Sequence, residues 1–321
     1  MKRTLLIASL SLVTAGTAFA QSSVTVWGRL NVSGERQKVN GDTRSELVNN
    51  ASRLGFRGVE DLGGGLKAGF ALEHGFDPTT GTANNTLPNG QPAFWGRGSE
   101  LYLGSNFGTL RIGNYTSEAY YATADWISMH NHDTGSSYDQ LYAYLPNDTN
   151  KVSYRTPEFS GLWGEVAVSE AQNGNLDRGY DVAVNYALGG LAAGLGYQKL
   201  GDRNQFAIRG AYTFGGFTVG GYYQRDEDGL VIGGGKRDNF RLSGMYALGA
   251  NEFHLNYGWA DDYDKIANSG AQQWTVAYGY NLSKRTRLYA FYTKYDGEVN
   301  NTYGGFGPDF NSLALGIRHN F

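Results

Sequence analysis

Apolar and polar side chains alternate one for one along most of this chain. In "SVTVWGRLNVS" (23–33), Val24, Val26, Leu30 and Val32 share one parity. In the closing "SLALGIRHNF", Leu313, Leu315, Ile317, His319 and Phe321 take one parity, while Ser312, Ala314, Gly316 and Arg318 take the other. A period of two belongs to an extended strand with one greasy face and one wet face. Segments of about ten residues with this period, the length of a tilted membrane-crossing strand, recur as "RGYDVAVNYALGG", "NQFAIRGAYTFGG", "NEFHLNYGWA" and "QQWTVAYGYNL". Helical periodicity is scarce, and Thr116–Ala124 is the best short helical stretch.

The connections come in two kinds. Tight ones are "DLGGG" (61–65), "SNFG" (105–108), "PEFSG" (157–161), "LGG" (188–190), "FGG" (214–216), "LGAN" (248–251) and "NLSKR" (281–285). Between them lie longer polar segments, among them Glu35–Ala51, Asp77–Gly96, Arg225–Arg237 and Tyr295–Asp309. Turns on one side and loops on the other, with about 16 strands, predict an all-β fold: an antiparallel transmembrane β-barrel. Closure satisfies every backbone polar group in lipid. A soluble sandwich or propeller would bury its apolar faces in a shared core. It would leave unexplained the aromatics at strand ends, such as Trp259, Trp274 and Tyr280, which a barrel uses as interfacial girdles.

Composition adds a compartment. Lys2 and Arg3 precede the apolar run "LLIASLSLV" and the small-residue "TAGTAFA", which reads as an export signal over 1–20 with the barrel over 21–321. The run is too short to span a bilayer as a helix. No Cys is present, so no disulfide supports an exported fold. The whole chain carries 27 basic and 30 acidic residues, a net −3, which becomes −5 without Lys2 and Arg3. That balance excludes a nucleic-acid partner.

"SRLGFRGVEDLGGGLKAGFALE" (52–73), "SNFGTLRIGNYT" (105–116), "KVSYRTPEFSG" (151–161) and the terminal "GIRHNF" resemble the Gram-negative general porins of beta-proteobacterial, anion-selective type. The resemblance implies a 16-stranded barrel, assembled as a homotrimer among outer-membrane lipid and lipopolysaccharide. It implies passive diffusion of small hydrophilic solutes and ions through a lumen narrowed by the third long loop. It also implies that Phe321 is an insertion signal read by the barrel-assembly machinery. Two stretches depart from the pattern: "RIGNY" carries Asn114 where relatives commonly have Arg, and "KVSYRTP" carries Ser153 and Arg155 where they often have Arg and Asp.

Parity sorts the charges. It turns Arg29, Arg53, Arg57, Lys67, Arg111, Lys151, Arg155, Arg209, Arg241 and Arg318 inward, against the acids Glu73, Glu165 and Asp181. An Arg facing lipid at midplane costs about 2–4 kcal/mol, so the sorting has an energetic basis. A guanidinium-rich bore favours small anionic solutes. Because screening limits its reach to about 8 Å, selectivity must be set at a constriction. The candidate is Asn114–Asn150, whose Tyr120, Tyr121, Trp126, Tyr138, Tyr142 and Tyr144 suit packing on the inner wall. Its acids Glu118, Asp125, Asp133 and Asp139 then oppose Arg53, Arg111 and Arg155, and a bulge at Gly96 or Gly98 would bring Arg97 in.

Rival chemistries are thinner. The loop aromatics could stack on sugars, making a sugar- or organic-acid-specific channel. His254 beside Asn256 could mimic a catalytic base and make the barrel an outer-membrane hydrolase, but no G-x-S-x-G elbow occurs. "HNHD" (130–133) offers two imidazoles and Asp133, short of a usual zinc set. "DDYD" (261–264) could hold a divalent cation or stand as a solvated acidic loop. No catalytic residue, metal or cofactor is expected.

Overall fold

The computed structural model describes residues 23–84, 92–125, 127, 134–171, 177–303 and 308–321. The export signal, Trp126, Asp133 and the "HNHD" motif lie outside these residues. The first half of the wall is β1 (Ser23–Val39), β2 (Asp42–Asn49), β3 (Arg53–Gly63), β4 (Leu66–Gly75), β5 (Gly98–Ser105), β6 (Gly108–Asn114), β7 (Lys151–Arg155) and β8 (Leu162–Ser169). The second half is β9 (Gly179–Leu188), β10 (Leu191–Leu200), β11 (Arg203–Phe214), β12 (Phe217–Glu227), β13 (Lys236–Leu248), β14 (Asn251–Ala260), β15 (Ala271–Asn281), β16 (Thr286–Gly297) and β17 (Asp309–Asn320).

Each strand pairs antiparallel with its neighbour, and β1 closes the sheet against β17 from Arg29↔Asn320 to Val39↔Phe310. β2 and β3 pair with the upper and lower parts of β1, so the 17 segments among the described residues build 16 wall strands. At the break between them, Ala51 adopts φ 57°, and Asn31 is bonded through Ser52 Oγ (3.0 Å) and the Asn50 carbonyl (3.1 Å). The last rung joins Gly28 and Phe321 by two backbone bonds of 3.1 and 3.0 Å. A side chain at Gly28 would strike the Phe321 ring, which covers that backbone.

The tight turns fall where the sequence places them. The segment Glu35–Ala51 does not form a loop: β1 runs on to Val39, turns at Asn40–Gly41 and returns as β2. Asn40 (φ 50°) and Gly41 (φ 97°) supply the two left-handed residues of a tight hairpin. Polar side chains crowd both of its faces, so no alternation marks it in the sequence. Similarly, β12 and β13 extend into Arg225–Arg237 and leave only residues 228–235 as loop.

Parity holds in the walls. Leu315 is 70% exposed beside Ala314 at 1%, which puts the greasy face outward. Phe214, Phe217 and Tyr246 stack near the turns, at 5.7 and 4.4 Å between centroids. Tyr223, Phe240 and Trp259 pack in a row near the loops, at 4.9 and 4.7 Å between centroids. Phe217 and Tyr223 are separated by about 20 Å of strand at the usual rise per residue. That spacing suits the two rims of an apolar band.

Candidate functional site

The long segment 114–150 carries α1 (Glu118–Tyr120), which continues as a wider helical turn through Tyr121–Asp125. Ser117 accepts from Ala119 N at 3.1 Å and caps it, in agreement with the expected helix. Two glycines of β10 make room for this turn: a side chain at Gly194 would overlap the Ala122 carbonyl, and one at Gly196 would strike Ala119.

Neutral amides hold the rest of the loop. Gln224 on the inner face of β12 accepts from Ala143 N (2.8 Å) and donates to the Ala143 carbonyl (3.0 Å). Gln273 on β15 accepts from Gln140 N (3.1 Å) and donates to the Tyr138 carbonyl (2.8 Å). Gln198 on β10 donates to Asn147 Oδ1 at 2.8 Å. A ladder of amides runs between strands, Gln205 donating to Gln198 (2.9 Å), Gln224 to Gln205 (3.0 Å) and Asn239 to Gln224 (2.6 Å). At the loop's tip, Glu35 accepts from Ser136 Oγ at 2.5 Å and from Ser312 Oγ at 2.8 Å. Sequence reasoning followed charges and missed this ladder. Its signal was glutamine on the inward parity of successive strands.

Between loop and wall lies a cavity of about 810 Å³. Arg29, Arg53, Arg97 and Arg318 line the wall side, and Asp125, Asp139 and Asp148 lie toward the loop. Arg53 (3.4 Å) and Arg97 (2.5 Å) share the carboxylate of Glu73, which sits on the wall between them. Arg97 needs no bulge to arrive: it lies in a turn ahead of β5, where strand parity does not apply. Arg29 Nε donates to Asn320 Oδ1 at 2.9 Å. Asp148 was not among the expected acids. It accepts from Tyr144 Oη, from Ser117 N at 3.1 Å, and faces Lys151 at 3.5 Å.

Other expected residues sit elsewhere. Arg111 bonds Glu100 (2.7 Å) and Glu165 (3.2 Å), and Arg155 lies 3.5 Å over the Trp163 ring, so both stay on the inner wall outside the cavity lining. Arg57 has inward parity but lies further along β3 toward the Gly63–Gly65 turn, exposed and away from the cluster. Lys151 and Glu118 are buried rather than open to solute. Lys151 Nζ bonds the Tyr115 carbonyl at 3.1 Å, and Asn185 reaches Glu118 at 3.4 Å. Burial, then the nearby Glu165 carboxylate, push the Glu118 carboxyl up to about 7. Asp139 accepts from Arg241 at 2.7 Å, which makes Arg241 a buried loop anchor. Asp226, within the polar segment Arg225–Arg237 expected as a connection, is instead on β12 and buried against Arg237 at 3.0 Å. His254 lies between Glu252 (3.3 Å) and Arg287 (3.0 Å) in a wall ion network.

A closed barrel with a polar inner face and a charged gap beside a long loop has a counterpart among known proteins: the Gram-negative porin family profile matches residues 5–300. This chain belongs to the Gram-negative porins. It is 32% identical over 367 aligned positions to Outer membrane porin protein 32 of Delftia acidovorans, spanning 100% of both chains. It is 28% identical over 406 positions to an outer membrane porin protein of Bordetella pertussis, again over 100% of each. Among solved structures, the anion-selective porin from Comamonas acidovorans superposes with a TM-score of 0.77 at 28% identity, covering 94% of this chain and 100% of that one. The porin OmpF of Salmonella typhi shares the fold alone, with a TM-score of 0.75 at 14% identity over 93% and 97% of the two chains. This porin is therefore a passive channel of the outer membrane, and not an enzyme.

Proposed function

We propose that the porin prefers small anions and that segment 114–150, folded into the lumen, is its constriction. The observation that carries this reading is the four-arginine wall facing the loop across the 810 Å³ gap. Guanidinium groups lining a narrow passage raise the local concentration of anions. Carboxylates on the opposite side make the field transverse, so a permeating ion is drawn to one wall and needs little desolvation. The anion-selective title of the Comamonas acidovorans porin agrees with this assignment. Residues 1–20 serve as the export signal, Phe321 as the insertion signal, and the assembled form is a homotrimer, as in the trimer form of OmpT of Vibrio cholerae.

Reversal potential in planar bilayers under a salt gradient tests the preference. The intact porin gives an anion-selective potential, and Arg53→Glu together with Arg97→Glu moves it toward cations. Cation selectivity in the intact protein, or no movement in the double variant, refutes the reading.

A further inference from the structure

The cavity sorts its surface chemistry. Guanidinium groups come from the wall, whereas the loop contributes the rings of Tyr120, Tyr121, Tyr138, Tyr142 and Tyr144. Tyr120 sits at the centre of this group, its ring 5.9 Å from Tyr121, 5.6 Å from Tyr142 and 5.2 Å from Tyr144. Tyr121 is 38% exposed, so a large ring stands open at the edge of a polar passage.

Two hydroxyls of the group are committed to the protein. Tyr142 Oη is bonded with Thr123 Oγ1 at 2.8 Å, and Tyr144 Oη donates to Asp148 and accepts from Ser117 N at 3.3 Å. Tyr142 is itself buried, so the ring carbon open to a passing solute is that of Tyr121 with the half-buried Tyr120, Tyr138 and Tyr144. The committed hydroxyls leave few donors for sugar hydroxyls. Across the gap, Arg318 is paired with no carboxylate among the described residues. On the ring side Asp125 and the partly exposed Asp148 disfavour a second carboxylate, while Asp139 is buried against Arg241. A solute with an anionic group at one end and a flat apolar body at the other meets complementary surfaces in a single orientation. Space is ample, since an apolar cavity of about 150 Å³ already holds benzene.

Resting on the constriction reading above, we infer that the passage favours aromatic carboxylates, the carboxylate running along the arginine wall and the ring sliding over the tyrosines. The comparison that isolates the ring is benzoate against cyclohexanecarboxylate, which share charge and ring size but differ in their π face. An aromatic contact supplies a preference of about three- to tenfold.

The test uses the full porin in planar bilayers, with sodium benzoate on one side and sodium cyclohexanecarboxylate on the other. Benzoate permeability above that of cyclohexanecarboxylate by this factor is the expected result. Tyr121→Leu, which keeps an apolar side chain but removes the π face, brings the ratio toward one. Equal permeabilities in the intact porin, with both anions still preferred over sodium, overturn this inference and leave the anion reading standing. Sodium preference over both overturns the two together. A benzoate preference that survives Tyr121→Leu and Tyr120→Leu overturns the assignment to the tyrosine face.

Discussion

Arg237 ties the outer connections to the long segment 114–150. Its side chain and that of Asp226 are both at 0% exposure, 3.0 Å apart. The guanidinium lies 5.1 Å from the Tyr263 ring and 4.6 Å from the Tyr303 ring, and Nη2 donates to the Leu141 carbonyl at 2.6 Å. One side chain thus touches β12, two outer connections and the long loop. Replacing it in Arg237→Met strands a buried carboxylate, a change that costs about 3–5 kcal/mol where no partner remains. Asp226 keeps two donors, Gly229 N at 3.0 Å and Tyr263 Oη at 2.9 Å, so the loss falls at the lower end, about 3 kcal/mol. Asp226→Leu with Arg237→Met removes both charges and recovers most of the loss. Denaturant unfolding of the four proteins in one detergent gives the coupling energy as a double-mutant cycle. Single-channel records should grow noisier in Arg237→Met as the Leu141 tether is lost. A coupling below about 1 kcal/mol, the size of an exposed pair, refutes the claim that this bridge is dry.

Two more tests are simpler. Glu118 has its carboxyl raised from 4.5 to about 7, by burial first and then by Glu165, so the fold favours its protonated form below about pH 7. Stability is therefore lost as pH rises from 4.5 to about 7 and is level above. The loss is about 3 kcal/mol at most, at roughly 1.36 kcal/mol per pH unit. Glu118→Gln should be the more stable protein at pH 8 and lose that advantage by pH 4; an equal gap at both pH values contradicts the burial account. Phe321→Ala should cut the yield of assembled barrel in cells severalfold, and an unchanged yield in the outer membrane would remove Phe321 from the role of insertion signal.

The walls were legible because lipid enforces parity. Any inward slip of Leu313 or Leu315 would turn Arg318 toward acyl chains, so sequence and register agree from Gly179 to Asn320. Where both faces are wet, that pressure disappears. The Asn40–Gly41 hairpin therefore read as loop, although its turn dipeptide was in plain view. Charges were legible as to side but not as to partner. Arg241 and Lys151 point inward as parity requires, yet the folded loop covers them, a contact between residues 102 apart in the Arg241–Asp139 case. Glu35 shows the same limit, since only the closed barrel brings it against Ser136 and Ser312.

The seam between β1 and β17 joins the first strand of the barrel to the last. Arg29 finds Asn320 across 291 positions, and the final rung uses Phe321 itself. Until those residues arrive, β1 lacks one whole neighbour and exposes a row of unmet donors and acceptors, the kind of edge that recruits foreign strands. Sealing the barrel therefore waits on β17, the last strand in chain order, and β1 stays an open edge until it pairs.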